Sequence, residues 1–501
     1  SGQLLTEDYY VANKLMKGFI GSGNIDTNSR LCMASSVAGH KRAFGSDTVP
    51  GSYEDLDEAD LVVLVGSNFA WCHPVLFQRL AAAKRDRGTR VIVIDPRQTA
   101  TTELADMHLP LHPGSDVALF NGLLGYLADK EALDRSYISA HTQGFDAALE
   151  SAQSMSLAVV AETTHLDPIR LTQCYQAFCE TEKVVTVYSQ GVNQSSAGTD
   201  KVNAIINCHL ATGRIGRAGM GPFSITGQPN AMGGREVGGL ANQLAAHMGF
   251  ENQNHRDLVA RFWSAPNLAS APGLKAVDLF DQVESGHIKA LWIMATNPAA
   301  SMPDADRVSA AIEACPFVVV SDVTDTTKTG GLAHVLLPAM GWGEKDGTVT
   351  NSERRISRQR SFVSGAGSSR PDWWIITEVA GRMGFPGFSY ESPAEIFREH
   401  AALSAFENDG TRDFDLSGLM DLNEEAYEDL SPVQWPFVAG AEVGTNRLFG
   451  QGAFYTKTGK ANFVAVSQKT PATETNATYP LVLNSGRIRD QWHTMTRTGQ
   501  S

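Results

Sequence analysis

Two stretches of the chain repeat one pattern, and a duplication of that kind limits the possible folds more than any other feature here. In "EADLVVLVGSNFAW", residues 58–71, an apolar run from Leu61 to Val65 ends in Gly66-Ser67-Asn68. A helix-like segment, "PVLFQRLAAAKRDRG", follows, and "RVIVIDPR" then closes on Asp95 and Arg97. The pattern returns in "HIKALWIMATNPAAS", residues 287–301, where an apolar run ends in Thr296-Asn297. A helical segment and "PFVVVSDVTDTTKT" come next, closing on Asp322. Asn68 precedes Asp95 by nearly the interval that separates Asn297 from Asp322, and "LADMHLPLHPGSD" and "GLAHVLLPAMGWGEKDG" follow in the same order. Each copy reads as strand, turn, helix, strand, a parallel-sheet unit with its loops at the carboxyl ends of the strands.

The chemistry of each copy suits a nucleotide. A small polar turn entering a helix offers backbone N–H groups and the positive end of a dipole to a phosphate. An aspartate ending the next strand accepts from ribose hydroxyls. A second carboxylate, Asp116 in "HPGSD" beside Gly114, is an acceptor for the N1–H and exocyclic amine of guanine. Any α/β domain carries turns of this sort, so a single copy would be weak evidence; the duplication is what points to paired sites. Neither GxGxxG nor a Walker A motif is present, so ordinary NAD and ATP sites lack their fingerprints.

Between the copies, "KVNAIINCHLATG" reads as an amphipathic helix stopped by Gly213. A loop with Gly213, Gly216, Gly219, Gly221, Gly227, Gly233 and Gly234 follows and ends in Arg235 and Glu236. Glycine this dense is either a flexible connection or lets backbone approach a large flat ligand. Arg235 is an anion-site candidate there. Further on, "GWGEKDGTVTNSERRISRQR" reads as a turn, a short β run and a basic stretch whose arginines are expected on a solvated face.

Composition narrows the partners. With 41 Lys and Arg against 55 Asp and Glu, the net charge is −14, which argues against nucleic acid or an anionic membrane as the main partner. Apolar stretches fall far short of the ~18 residues that span a bilayer, and no signal-peptide pattern opens the chain. Both ends read as cut. At about 100–200 residues per domain, 501 residues suggest three or four domains. The six cysteines are sparse and irregular, with neither a disulfide framework nor a CxxC pair. Cys32, in "NSRLCMASSVAG", sits alone in a turn-rich setting; by itself it reads as a buried structural thiol.

"RLCMAS", "VGSN", "VIDPR", "HPGSD", "TGQPNAMGGREVGG", "ATNP", "EKDGTVTNSERR" and "RDQWHTMTRTG" occur in this order over essentially the whole chain. In that set the chain resembles the molybdopterin oxidoreductases of the dimethyl sulfoxide reductase superfamily. It is most like bacterial assimilatory nitrate reductase catalytic subunits, with periplasmic nitrate reductases next. The resemblance implies an α/β fold of two Rossmann-like parallel-sheet domains with pseudo-twofold nucleotide sites, plus the start of a C-terminal β-barrel-like domain. Residues 1–31 with 236–425 would form one α/β domain and 32–235 an inserted one. Residues 426–475 would return toward a missing N-terminal domain, and 476–501 would open the truncated barrel. The cofactor implied is molybdenum held by two molybdopterin guanine dinucleotides, with Cys32 as protein ligand, which reverses the structural reading of that thiol. Soft thiolate suits a molybdenum–sulfur centre, and coordination keeps it deprotonated.

The resemblance also places Met33 and Arg235 beside the metal, Arg235 as guide for nitrate by planar charge-assisted hydrogen bonds. Gln228, Asn230, His493 and Thr494 would lie near the pterins. Gly66, Ser67, Asn68, Asp95, Arg97, Gly114 and Asp116, with Gly191 and Asn193, would hold one dinucleotide. Thr296, Asn297, Asp322, Thr326, Asp346 and Asn351 would hold the other. The implied reaction is reduction of nitrate to nitrite by oxygen-atom transfer, in cytoplasmic nitrate assimilation. The electron donor would be ferredoxin, flavodoxin or an NADH-linked reductase subunit. A [4Fe-4S] cluster is expected in the full-length protein, but its cysteine ligands are not in this sequence. Formate dehydrogenases of the superfamily typically follow their metal ligand with histidine, where this chain has Met33. Metal-free structural relatives in respiratory complexes tend to lose the ligand cysteine and the guanine-site residues, which this chain keeps.

Overall fold

The run Leu61–Val65 (β1) consists of five apolar residues, all buried, because it lies inside a sheet with neighbours on both sides. In the computed structural model, which describes residues 1–484, 486, 488, 489 and 491, this sheet has five strands. The others are Arg90–Ile94 (β2), Met107–Leu109 (β3), Val184–Tyr188 (β5) and Gly221–Ser224 (β6), in the order β3-β2-β1-β5-β6. Every pairing is parallel. Parallel strands covered on both faces read as continuous Val/Ile/Leu runs rather than alternating ones, as "LVVLV" and "RVIVI" do. The order runs outward from β1 through β2 to β3 on one side and through β5 to β6 on the other. The crevice at the carboxyl ends of β1 and β5 is therefore the switch point at which open α/β sheets bind ligands.

The chain divides into two compact units, and this sheet belongs to the one formed by Cys32–Gly227 and Asn446–Arg489. A short parallel pair, Thr142–Gln143 (β4) with Ala461–Asn462 (β13), joins the two segments of that unit. Arg447 adds an ion pair to the buried Asp55 at 2.7 Å. The helix after β1 runs from Pro74, a residue pre-set for a first turn, to Arg87, and Gly88 stops it in the left-handed region. Leu76 and Leu80 of this helix pack on Val62, Leu64, Val91 and Val93.

The other unit comprises, among the described residues, Ser1–Leu31, Gln228–Thr445 and Gln491. Its parallel sheet has the order β7-β8-β9, from Ala290–Met294 (β7), Phe317–Asp322 (β8) and Val335–Pro338 (β9). Helix Ala305–Ala314 covers it through Val308, Ala311 and Ile312, which meet Ile293, Val318 and Val320. A second, antiparallel sheet consists of Gly347–Thr350 (β10), Arg355–Gln359 (β11) and Val433–Gln434 (β12).

Two expectations are corrected here. The helix Gly198–Ala211 is not amphipathic: every residue from Lys201 to Ala211 is buried. Its polar residues each have a partner inside the unit. Lys201 pairs with Asp116 at 2.6 Å, Asn203 donates to Gly39 O, Asn207 to Val464 O, and His209 bonds Thr186. The arginines of "SERRISRQR" are not all solvated either. Arg354 is fully buried and donates to the Trp435 and Thr445 carbonyls, and Arg358 is enclosed, donating to Gly347 O and pairing with Glu428 at 2.5 Å. Arg360 stays about half exposed. Half of the expected barrel start at 476–501 falls outside the described residues, and no strand occurs among those described there.

Candidate active site and nucleotide sites

The duplication seen in the sequence is present in atomic detail, once in each unit. After β1 the chain turns at Gly66 with φ +54°, and after β7 it turns at Ala295 with φ +50°. The Gly66 N–H donates to Ile94 O and the Ala295 N–H to Ser321 O, both at 2.9 Å. Two residues on come Asn68 and Asn297. Asn68 Oδ1 accepts from Thr101 Oγ1 at 3.1 Å, and Asn297 Oδ1 from Thr329 Oγ1 at 2.6 Å. Each threonine oxygen also accepts a backbone N–H, of Ala70 and of Ala299, both at 3.1 Å. Each asparagine so fixed directs its Nδ2 inward, buried and without a hydrogen-bond partner among the described residues; Ser67 Oγ is in the same condition. Leaving a buried donor unmade costs about 1–3 kcal/mol, and here two matching orphans stand at the ends of two corresponding strands.

Thr101 and Thr329 escaped the sequence reading, although the signal was there. They stand 33 and 32 positions after their asparagines. Thr326, chosen from the same "DTTKT", is exposed and bonds Thr324. The helix entered by each turn is also shorter than expected. Phe69–Cys72 and Pro298–Ser301 are single turns, and the long helices begin later, at Pro74 and Ala305. The N–H groups of Ala70 and Ala299 go to the threonines, and those of Trp71, Cys72, Ala300 and Ser301 go to the asparagine carbonyls, so neither turn offers a phosphate the N-terminus of a long helix.

The strand-end carboxylates also correspond. Burial pushes both Asp95 and Asp322 above the usual carboxylate range, and each accepts a local backbone N–H, from Arg97 at 2.9 Å and from Val323 at 2.7 Å. The charge of Asp116 adds to the shift at Asp95, which puts the two carboxylates in one neighbourhood. Asp116 itself is buried and paired with Lys201. Gly114 O accepts from Gln468 at 2.9 Å. Thr296 lies in the turn before Asn297, half-buried. Asp346 and Asn351 stand elsewhere, flanking β10 of the antiparallel sheet. Asp346 accepts from Ser361 N and Oγ, while Asn351 Oδ1 accepts from Glu353 N and Arg355 N and so shapes the hairpin.

Cys32 closes the short helix Ser29–Cys32, and Met33 follows before helix Ala34–Phe44. Both are buried. The residue touching both sulfurs is Gln190, its Nε2 3.3 Å from Cys32 Sγ and 3.9 Å from Met33 Sδ. Gln190 opens the turn Gln190–Asn193 just past β5, so these sulfurs stand at the switch point. The neighbouring strand ends approach so closely that a Cβ on Gly191 would lie 2.5 Å from Gly66 Cα, leaving no room for any side chain there. Asn193 ties the turn to the helix after Met33: its Oδ1 accepts Ser36 N at 2.8 Å and Ser36 Oγ at 2.7 Å.

In the other unit, Arg235 lies buried in the helix Ala231–Glu236, its guanidinium against Met232 Sδ. Burial pushes the carboxyl of neighbouring Glu236 up to about 7 while it bonds Thr350 and Trp435. Gln228 is buried, and Asn230 is a brace. Its side chain bonds Leu4 O, Thr6 Oγ1 and Thr350 N, and a Cβ on Gly233 would collide with it. That part of the glycine-rich loop packs against its own chain. His493 and Thr494 lie outside the described residues.

The family profile described as molybdopterin oxidoreductase matches residues 1–382. The chain belongs to the molybdopterin oxidoreductase family. Over all of its length it is 54% identical to a nitrate reductase of Shewanella frigidimarina (strain NCIMB 400), covering 54% of that protein. It is 56% identical to a nitrate reductase of Klebsiella oxytoca, covering 57%. The chain thus spans little more than half the length of these relatives. Among solved structures, acetylene hydratase from Pelobacter acetylenicus matches with a TM-score of 0.70 at 18% identity, over 95% of this chain and 65% of that one. That likeness is one of fold.

A molybdopterin cofactor fits the residues present. The soft sulfurs of Cys32 and Met33 suit a molybdenum–sulfur centre, and the orphan donors Ser67, Asn68 and Asn297 suit the oxygen-rich tails of a pterin nucleotide. Among the described residues no group of three or more His, Cys, Asp or Glu side chains could hold a metal ion by itself.

Proposed function

We propose that the full-length protein reduces nitrate to nitrite at molybdenum held by two molybdopterin guanine dinucleotides and by Cys32. The observation that carries this reading is the matched pair of asparagine–threonine turns, one per unit, together with a buried cysteine at the switch point of one sheet. When bound, the cofactor supplies the two electrons and the acceptor for the oxygen atom. The protein's part is binding and orientation. Gly66, Ser67, Asn68, Asp95, Arg97, Gly114 and Asp116, with Gly191 and Asn193, serve one dinucleotide, and Thr296, Asn297 and Asp322 the other. Thr101 and Thr329 hold the asparagines in register. Arg235 presents a planar cation to the substrate anion, Met33 follows the ligand cysteine, and Gln228 serves a pterin.

The role in assimilation, a cytoplasmic location and a ferredoxin, flavodoxin or NADH-linked donor rest on the motif likeness to assimilatory enzymes. So does a [4Fe-4S] cluster in the full-length protein. Among the described residues no helix is long and apolar enough to cross a membrane. The deciding experiment measures molybdenum and released GMP per chain on protein from the completed reading frame, with nitrate and formate each offered to a dye-linked assay. One molybdenum, two GMP and nitrate-dependent turnover are expected. Metal and nucleotide both missing, from a host able to make the cofactor, overturn the reading, and turnover with formate alone reassigns the substrate.

A further inference from the structure

Gln190 appears in none of the motifs that carry the family likeness, yet its side chain meets the sulfur of Cys32. The contact has a defined sense. A thiolate only accepts, so the amide must present Nε2, and it does so at 3.3 Å. At its other end the amide oxygen, Gln190 Oε1, accepts from Ser189 Oγ, a hydroxyl that also reaches Ile225 O at 3.2 Å. The turn that carries Gln190 is in turn fixed to the cysteine segment. Asn193, three residues on, takes both the N–H and hydroxyl of Ser36, and its carbonyl takes the Ser35 hydroxyl at 2.8 Å. The donor and the sulfur are thus locked to one another at both ends of a short path, an arrangement that packing alone does not require.

We propose that Gln190 is a positioning residue that donates a hydrogen bond to the Cys32 sulfur and so lowers the electron donation of that ligand to its metal. The inference rests on the reading of Cys32 as the molybdenum ligand. Hydrogen bonds to a ligating sulfur withdraw electron density and raise the reduction potential of the centre. Leucine at 190 keeps the volume and removes the donor. S189A keeps the glutamine and removes the hydrogen bond at its oxygen.

The test uses the full-length holoenzyme and two readouts besides turnover: the sulfur count at molybdenum by X-ray absorption, and the molybdenum midpoint potential by EPR-monitored redox titration. C32A is expected to lose one sulfur. Q190L is expected to keep the wild-type count while its potential falls by about tenfold in the one-electron equilibrium, about 59 mV, and S189A to fall by less in the same direction. A wild-type potential in Q190L with the sulfur count intact overturns the role of Gln190 and leaves the ligand assignment standing. An unchanged sulfur count in C32A overturns the ligand assignment, and the role of Gln190 with it.

Discussion

Single residues show how burial changes what a side chain is for. Arg235 is a planar cation kept out of water, and a charge-assisted hydrogen bond contributes about 1.5–3 kcal/mol. Arg235→Ala is therefore expected to lower kcat/KM for nitrate by about 10- to 100-fold with molybdenum content unchanged; unchanged kinetics would remove the arginine from substrate binding. His400 shows the opposite use of burial. It packs between Tyr10 and Phe414, neither ring nitrogen has a hydrogen-bond partner among the described residues, and burial pulls its pKa down to about 3. The unfolded chain protonates this histidine near pH 6.5 and the folded one does not. Its contribution to stability is thus present above about 6.5 and drains away as pH falls toward 3, by about 1.4 kcal/mol per unit. His400→Phe should lose about 2 kcal/mol less than wild type between pH 7.5 and 5 in urea melts. Equal losses in the two proteins would show that His400 does not carry this term.

At the scale of elements, helix Gly198–Ala211 shows what periodicity misses. Lys, Asn and His at its polar positions predict a solvated face, but each of these side chains meets a partner from another segment, and partners from distant segments are invisible to spacing rules. The same holds for Arg354 and Arg358, which reach the Thr445 carbonyl and the Glu428 carboxylate, 91 and 70 positions away. The Lys201–Asp116 pair is the sharpest case, because both groups are almost fully enclosed. Removing one partner of such a pair costs about 3–5 kcal/mol, whereas replacing both is close to neutral. Lys201→Met should therefore destabilise by about that amount in urea denaturation, and adding Asp116→Asn should restore most of the loss. A Lys201→Met protein as stable as wild type would mean that the pair does not form.

At the scale of the whole molecule, the argument turns on duplication. If the two asparagine–threonine turns serve two separate nucleotides, Thr101→Val and Thr329→Val in the full-length protein should each lower released GMP from two per chain toward one. Loss of both nucleotides in either variant would refute separate service. Much of this was legible in the sequence. The apolar runs "LVVLV" and "ALWIM", the asparagine after each and the aspartate ending the next strand were all visible, because strand burial and strand-end chemistry depend on a few adjacent residues. The parallel sheets themselves were expected from those runs. The spacing of Thr329 from Asn297 was visible but their hydrogen bond was not, and the sequence could not show that Asn351 also shapes a hairpin or that Gln190 reaches Cys32. Those facts depend on which segments the fold brings together, and hydrogen-bond partners 32 or 158 positions apart are chosen by the path of the chain through space. Local physics wrote the strands and turns into the sequence; tertiary packing alone decided which polar groups are spent on the protein and which have no partner among the described residues.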